Sequence, residues 1–181
     1  MPKPSLVDAV AFALEAHGSQ RRKDGSPYVS HLLQVCGLVL EHGGSETVAI
    51  AALLHDSIED TAVEAEDIAR RFGDDVASIV AACTDSIEGE GRGADTWERR
   101  KELYLEHLRT CSRDAALVSA CDKLHNLRAM AHGDVDDSAF NASRERQRWF
   151  FESMVSILAA RGDVPGAVVE ELRSLTDRAW R

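Results

Sequence analysis

The chain has 181 residues, 44% of them hydrophobic and 29% charged, which suits one folded domain with a sizeable core. Its net charge of −10 argues against a nucleic-acid partner, which calls for a basic footprint, but leaves room for a small anionic substrate met by a local basic patch or a cation. No apolar stretch approaches the roughly 20 residues of a membrane span, Asp8 and Glu15 interrupt any signal-peptide core, and the cysteines form no Cys-x-x-Cys pair; a cytoplasmic protein with no membrane partner, disulfide framework or cysteine zinc site is expected.

The periodicity predicts an all-α chain. Ser5 reads as an N-cap with Asp8 at the reciprocal position, and Leu6, Val7, Val10, Ala11 and Leu14 form one apolar stripe that Gly18 ends. A basic loop follows, Arg21-Arg22-Lys23-Asp24-Gly25-Ser26-Pro27, with Asp-Gly and Ser-Pro turn signals. A second helix is expected over about 30–42, stopped by Gly43-Gly44. A third, capped by Ser45, ends near Asp60. A short fourth covers about 64–72, and Asp74 is expected to cap a fifth that runs to about Thr84. Residues 86–95 alternate glycine with charge and read as a flexible loop with the makings of a lid. Further helices are expected over about 96–109, 114–132, 138–160 and 164–180, with a loop at 133–137. No strand alternation, repeat or linker interrupts the series, so one domain over 1–181 with about eight to nine helices is expected.

The densest chemistry lies where Ala51-Ala-Leu-Leu runs into His55, Asp56, Glu59 and Asp60. On one helix, residues four apart lie one above the other, which would set His55 over Glu59 and Asp56 over Asp60. Desolvating such a cluster is costly without a cation to compensate it. A histidine beside a carboxylate can bind a divalent metal, and the second pair can handle a proton. His31, after the basic loop, and Asp122, in Ala120-Cys-Asp-Lys-Leu-His-Asn126, extend the pattern. Two histidines with two aspartates form a nitrogen and oxygen donor set, better suited to Mn²⁺, Fe²⁺ or Zn²⁺ than to Ca²⁺, and without the thiolates of a structural zinc site. His17, His42, His107 and His132 read as core or surface residues, whereas His125, three residues after Asp122, can stand behind a ligand. Arg21, the run Arg99, Arg100 and Lys101, and Arg144, Arg146 and Arg148 read as solvated charge. Trp97, Trp149, Phe150 and Trp180 read as core or interface residues, compatible with a homodimer.

These ordered blocks resemble the HD-domain metal-dependent phosphohydrolases, and within them the RelA/SpoT-type hydrolases of guanosine tetraphosphate. The resemblance runs from about Ala9 to Met130, through Ala16–His31, Ala51–Thr61, Phe72-Gly73 and Asp122–Arg128. It implies an all-α HD-domain fold in a small, hydrolase-only form. It implies Mn-dependent removal of the 3′-pyrophosphate of guanosine tetra- or pentaphosphate by a metal-activated water. Related HD hydrolases instead cleave nucleoside phosphates or the 2′-phosphate of NADPH, and a nucleotide-binding sensor without turnover is the non-enzymatic alternative. By the same resemblance, His31, His55, Asp56 and Asp122 are metal ligands, and Glu59 and Asp60 position or deprotonate the attacking water. Arg22, Lys23 and Asn126 fall on substrate-binding positions. The sequence departs from the family at Leu32, where proline commonly follows the first ligand, and at Ala129, where the long members commonly have threonine.

Overall fold

The structure, a computed structural model, describes residues 4–84, 93–131 and 142–180. The expected loop over 86–95 lies outside the described residues as far as 92. So do His132, the expected loop at 133–137 and the first residues of the helix expected from 138.

The described residues form ten helices: α1 (Leu6–His17), α2 (Tyr28–Glu41), α3 (Glu46–Leu54), α4 (Ser57–Asp60), α5 (Ala65–Phe72), α6 (Asp74–Cys83), α7 (Trp97–Thr110), α8 (Arg113–Ala131), α9 (Arg144–Arg161) and α10 (Gly166–Ala179). Among them there is no strand. An isolated antiparallel bridge between Arg21 and Pro27 closes the basic loop. Each expected helical segment is present; the tenth helix arises because the third expected segment is broken at His55 and Asp56.

Local sequence explains the boundaries. The Ser5 side chain accepts from the Asp8 backbone N–H while the Asp8 carboxylate accepts from the Ser5 N–H, a reciprocal cap that satisfies two end-of-helix donors. Ser45 caps α3 by accepting from the Val48 N–H. Asp74, expected as a cap, is instead the first residue of α6; Gly73 precedes it at φ 95°, a conformation that a side chain resists. Gly44 ends the turn after α2 for another reason: a Cβ there would lie 2.4 Å from Val39 Cγ1.

Helix α3 is the centre of the core. Every residue from Val48 to Leu54 is buried, and a helix with no polar face is stable only when surrounded. It packs against α1, α2, α6 and α8. Helix α8 lies against α2, α6 and α10, and α9 joins α7 to α10. Burying one leucine of this set contributes about 1.5–3 kcal/mol. The consequence for chemistry is rigidity: the C-terminal end of α3, the first turn of α2 and the middle of α8 meet with little freedom to shift.

Candidate metal centre

Three separate segments deliver the polar groups. His31 is the fourth residue of α2, one turn after Tyr28. His55 ends α3 and Asp56 precedes α4. Asp122 projects from the middle of α8. The expectation that His55, Asp56, Glu59 and Asp60 share one continuous helix is corrected: α3 ends at Leu54, His55 and Asp56 form a turn whose backbones keep right-handed dihedrals, and α4 is a single turn tied back by the Asp60 N–H bond to the Asp56 carbonyl at 2.9 Å. The break turns His55 inward while Glu59 is half-buried and Asp60 exposed.

The two imidazoles and two carboxylates converge. His31 Nε2 lies 3.2 Å from Asp122 Oδ1 and 3.5 Å from Asp56 Oδ2. His55 Nε2 lies 3.1 Å from Asp56 Oδ2 and 3.7 Å from Asp122 Oδ1. Ligand atoms of His31, His55 and Asp122 all fall within 4.8 Å of one another. His55 Nδ1 donates to the Ala52 carbonyl at 2.7 Å, which turns Nε2 toward the carboxylates. That Nε2 is buried and has no hydrogen-bond partner. An orphaned nitrogen facing two carboxylate oxygens is what a divalent cation would satisfy, so the residues present fit a metal ion.

The groups behind these four are equally defined. His31 Nδ1 meets His125 Nδ1 at 2.8 Å. The Tyr28 hydroxyl donates to Asp56 Oδ2 at 2.6 Å. Asn126 Nδ2 donates to Asp122 Oδ1 at 2.7 Å, and Asn126 Oδ1 accepts from the Arg22 guanidinium at 2.9 Å. Lys123 pairs with Asp122 Oδ2. Sequence reasoning named His125 and Asn126 but missed Tyr28 and Lys123. Both stand inside the blocks that carry the resemblance; neither residue type is a usual metal ligand, so composition gave no cue.

Electrostatics follow the same pattern. Burial alone would push His55 down, but Asp56 and Asp122 outweigh it and raise it well above the usual histidine range. Burial acts to raise Asp56 and Asp122, yet His55 and His31, with Lys123 for Asp122, hold both well below the usual carboxylate range. The carboxylates are thus kept charged and the cluster draws in a positive partner. Burial, with the nearby Arg22 guanidinium, holds His125 down at about 4. Cys83, also in the cavity wall, is pushed up by burial to about 11 and stays a thiol.

The centre opens into a cavity of about 520 Å³, a size that accommodates a nucleotide. Arg22, Lys23, Glu59, Asp60 and Asn126 line it with His31, Asp56 and Asp122, while His55 stands behind the wall. Gln20 Nε2 donates to Asp60 Oδ2 at 3.1 Å. The reading of Arg99, Arg100 and Lys101 as solvated charge is corrected in part: Arg100 is only 5% exposed, and it lines the cavity with Lys101 because α7 packs against α9. Arg21 also reaches the rim. Arg148 keeps to the exposed surface, paired with Glu152 at 2.7 Å, and Arg146 pairs with Glu98 and lies over Trp97. Trp97, Phe150 and Phe151 form the apolar part of the wall. A chain with a net charge of −10 therefore gathers several of its cations around one cavity.

Comparison with known proteins points the same way. A family described as an HD domain matches residues 9–150. The guanosine-3′,5′-bis(diphosphate) 3′-pyrophosphohydrolase MESH1 of Xenopus tropicalis is 42% identical over 127 residues, covering 68% of each chain. Its namesake from Danio rerio is 35% identical over 175 residues, covering 94% of this chain and 91% of that one. Among solved structures, a metazoan orthologue of SpoT that hydrolyses ppGpp superposes with a TM-score of 0.75 at 30% identity, over 97% of this chain and 96% of that chain. A protein of Listeria monocytogenes EGD-e superposes with a TM-score of 0.74 at 30% identity, over 86% of this chain and 97% of that chain.

Proposed function

The chain belongs to the HD-domain family, and from that premise we propose that it is a metal-dependent phosphohydrolase that removes the 3′-pyrophosphate of guanosine tetra- or pentaphosphate. The observation that carries the reading is the convergence of His31 Nε2, His55 Nε2, Asp56 Oδ2 and Asp122 Oδ1 at the end of a cavity lined by Arg22, Lys23, Glu59 and Asp60. The names of the relatives supply the substrate.

In this reading His31, His55, Asp56 and Asp122 hold the cation. The nitrogen and oxygen donors suit Mn²⁺, Fe²⁺ or Zn²⁺, and the resemblance to the alarmone hydrolases puts Mn²⁺ first. A bound divalent ion supplies Lewis acidity, which makes water a nucleophile near neutral pH. Glu59 and Asp60, one turn from the centre, orient the water and take its proton. The oxygen of that water adds to the phosphorus joined to the ribose 3′-oxygen as the bond to that oxygen breaks, and the proton taken from the water passes to the departing oxygen, leaving a 3′-hydroxyl and free pyrophosphate. Charge builds on the phosphoryl oxygens as this happens, and Arg22 and Lys23 lie where they can meet it. Arg22 can pair bidentately, whereas Lys23 acts as a point charge. Asn126 holds Arg22 and Asp122 together, so the substrate side and the metal side share one support. Ala129 in the same wall offers only a methyl group.

The reading takes residues 1–181 as one catalytic domain. Helices α9 and α10, beyond the stretch with the clearest sequence resemblance, support this: α9 places Gln147, Phe150 and Phe151 in the cavity wall, and α10 packs on α8.

The deciding experiment is incubation of the Mn²⁺-loaded protein with the alarmone. Stoichiometric pyrophosphate release is expected. Metal-loaded protein that releases none overturns the proposal. Orthophosphate release from nucleoside phosphates or NADPH in a parallel panel would assign the site to another nucleotide, and thermal protection by a nucleotide without turnover would make it a sensor.

A further inference from the structure

His17, expected in the core or at the surface, closes α1 and is 5% exposed. It is not among the converging ligands, and its contacts nevertheless lead to two of the carboxylates at the centre. Its Nε2 is buried without a hydrogen-bond partner. Its Nδ1 lies 2.8 Å from Gln20 Oε1. An amide oxygen only accepts, so Nδ1 carries the proton; with no acceptor at Nε2, this tautomer leaves no buried N–H unpaired. Gln20 passes the contact on, its Nε2 donating to Asp60 Oδ2 at 3.1 Å. The flat face of the same ring is stacked on Tyr28, with centroids 5.0 Å apart and planes 12° from parallel. Tyr28 in turn donates its hydroxyl to Asp56 Oδ2 at 2.6 Å.

We infer that His17 is a positioning residue for the hydrolysis, fixing Asp60 through Gln20 and Asp56 through Tyr28. The inference rests on the roles proposed above for Asp60 and Asp56. Its two arms differ in kind. The arm to Asp60 is a chain of directional hydrogen bonds that sets where the carboxylate points. The arm to Asp56 is a packing contact that holds a phenol, and the phenol occupies one lone pair of a carboxylate oxygen that faces both imidazoles. Groups behind a metal ligand or an acid govern its orientation, and losing one commonly costs about 10–100-fold in affinity or activity. An imidazole here combines a flat face for Tyr28 with a donor for Gln20, which no apolar side chain does.

Two substitutions separate the arms. His17→Phe keeps a ring against Tyr28 and removes the donor. His17→Asn keeps a donor near the place of Nδ1 and removes the ring. Steady-state hydrolysis and Mn²⁺ titration are measured for both, with the tautomer of His17 read by ¹⁵N NMR on histidine-labelled protein. The expected result is that His17→Phe lowers kcat about tenfold or more with KM and Mn²⁺ affinity unchanged. His17→Asn is expected to weaken Mn²⁺ binding about tenfold while kcat at saturating metal is retained. In the wild type the Nδ1–H tautomer is expected, moving toward Nε2–H in Gln20→Leu. If His17→Phe or His17→Asn does not fold, Gln20→Leu tests the first arm and Tyr28→Phe the second by the same measurements. A folded variant indistinguishable from wild type overturns the inference, as does an equal loss of kcat and Mn²⁺ affinity in both variants, which would mark a packing role alone. Wild-type protein that binds Mn²⁺ but releases no pyrophosphate overturns the function proposal instead, and the Mn²⁺ and tautomer measurements still decide the role of His17.

Discussion

His31 and His125 face each other nitrogen to nitrogen, Nδ1 to Nδ1 at 2.8 Å. Only one of the two can carry the shared proton. His31 turns its Nε2 toward Asp56 and Asp122, so its Nδ1–H is the donor and His125 the acceptor. That assignment requires His125 to be uncharged, and burial, with the nearby Arg22 guanidinium, holds it at about 4. His125→Phe removes the acceptor and frees the His31 ring to rotate. Metal affinity is expected to fall about 10–100-fold, read by Mn²⁺ titration against wild type.

The same residue sets a pH dependence of stability. An unfolded histidine titrates at about 6.5, whereas His125 in the fold titrates at about 4. Between these values the unfolded chain binds the proton and the native chain does not, so the contribution to stability is full above the unfolded value and is lost as pH falls toward 4. The stability difference between wild type and His125→Phe is therefore expected to change across this interval and to level off on either side. Urea midpoints taken at closely spaced pH values measure it.

Glu59 lines the cavity yet is not among the side chains that converge with His31 and His55. Glu59→Gln keeps the size of the side chain and removes its capacity to take a proton. Substrate and Mn²⁺ binding are expected to persist, while turnover falls about 10²–10⁴-fold. Calorimetric binding alongside pyrophosphate release tests the separation; a parallel loss of binding would remove Glu59 from the proposed role.

Arg22 holds Asn126 Oδ1 at 2.9 Å while facing the cavity. Arg22→Ala is expected to raise KM about tenfold or more, since a hydrogen bond to a charged group contributes about 1.5–3 kcal/mol. Asn126→Ala touches Asp122 as well and is expected to weaken both substrate and metal binding. Arg22→Lys restores charge but not the planar fork, so only partial recovery of KM is expected.

Stripping the ion is expected to lower thermal stability, because a ligand held only by the native state stabilises it by mass action. The gain is about 2.7 kcal/mol at a free metal concentration one hundred times Kd. Chelator followed by added Mn²⁺ should lower and then restore the melting temperature. In Asp122→Ala neither step should move it.

The all-α architecture was legible because hydrophobic periodicity and caps such as Ser5 with Asp8 act locally. The set His31, His55, Asp56 and Asp122 was legible because side chains able to hold a cation recur in recognisable blocks. Other features were not. The break after Leu54 was hidden by a run of good helix formers, which gives no hint that the helix will stop at His55. Arg100 read as surface because a charged run on a helix usually is, and only the packing of α7 on α9 carries it into the cavity wall. His17, Gln20 and Tyr28 lie close in sequence, but their common target across the fold, Asp56 and Asp60, follows from how α1 packs against α4.

The centre is fed from α2, from the joint between α3 and α4, and from α8, stretches widely spaced along the chain. A cation held there would tie those three stretches at one point in the folded chain, and, unlike a disulfide, it would let go of them when the chain unfolds. Its release removes the tie among three helices simultaneously. Amide protons in the core of α2, α3 and α8 should then lose their protection together rather than one helix at a time, so the ion that serves the reaction also sets the size of the unit that unfolds.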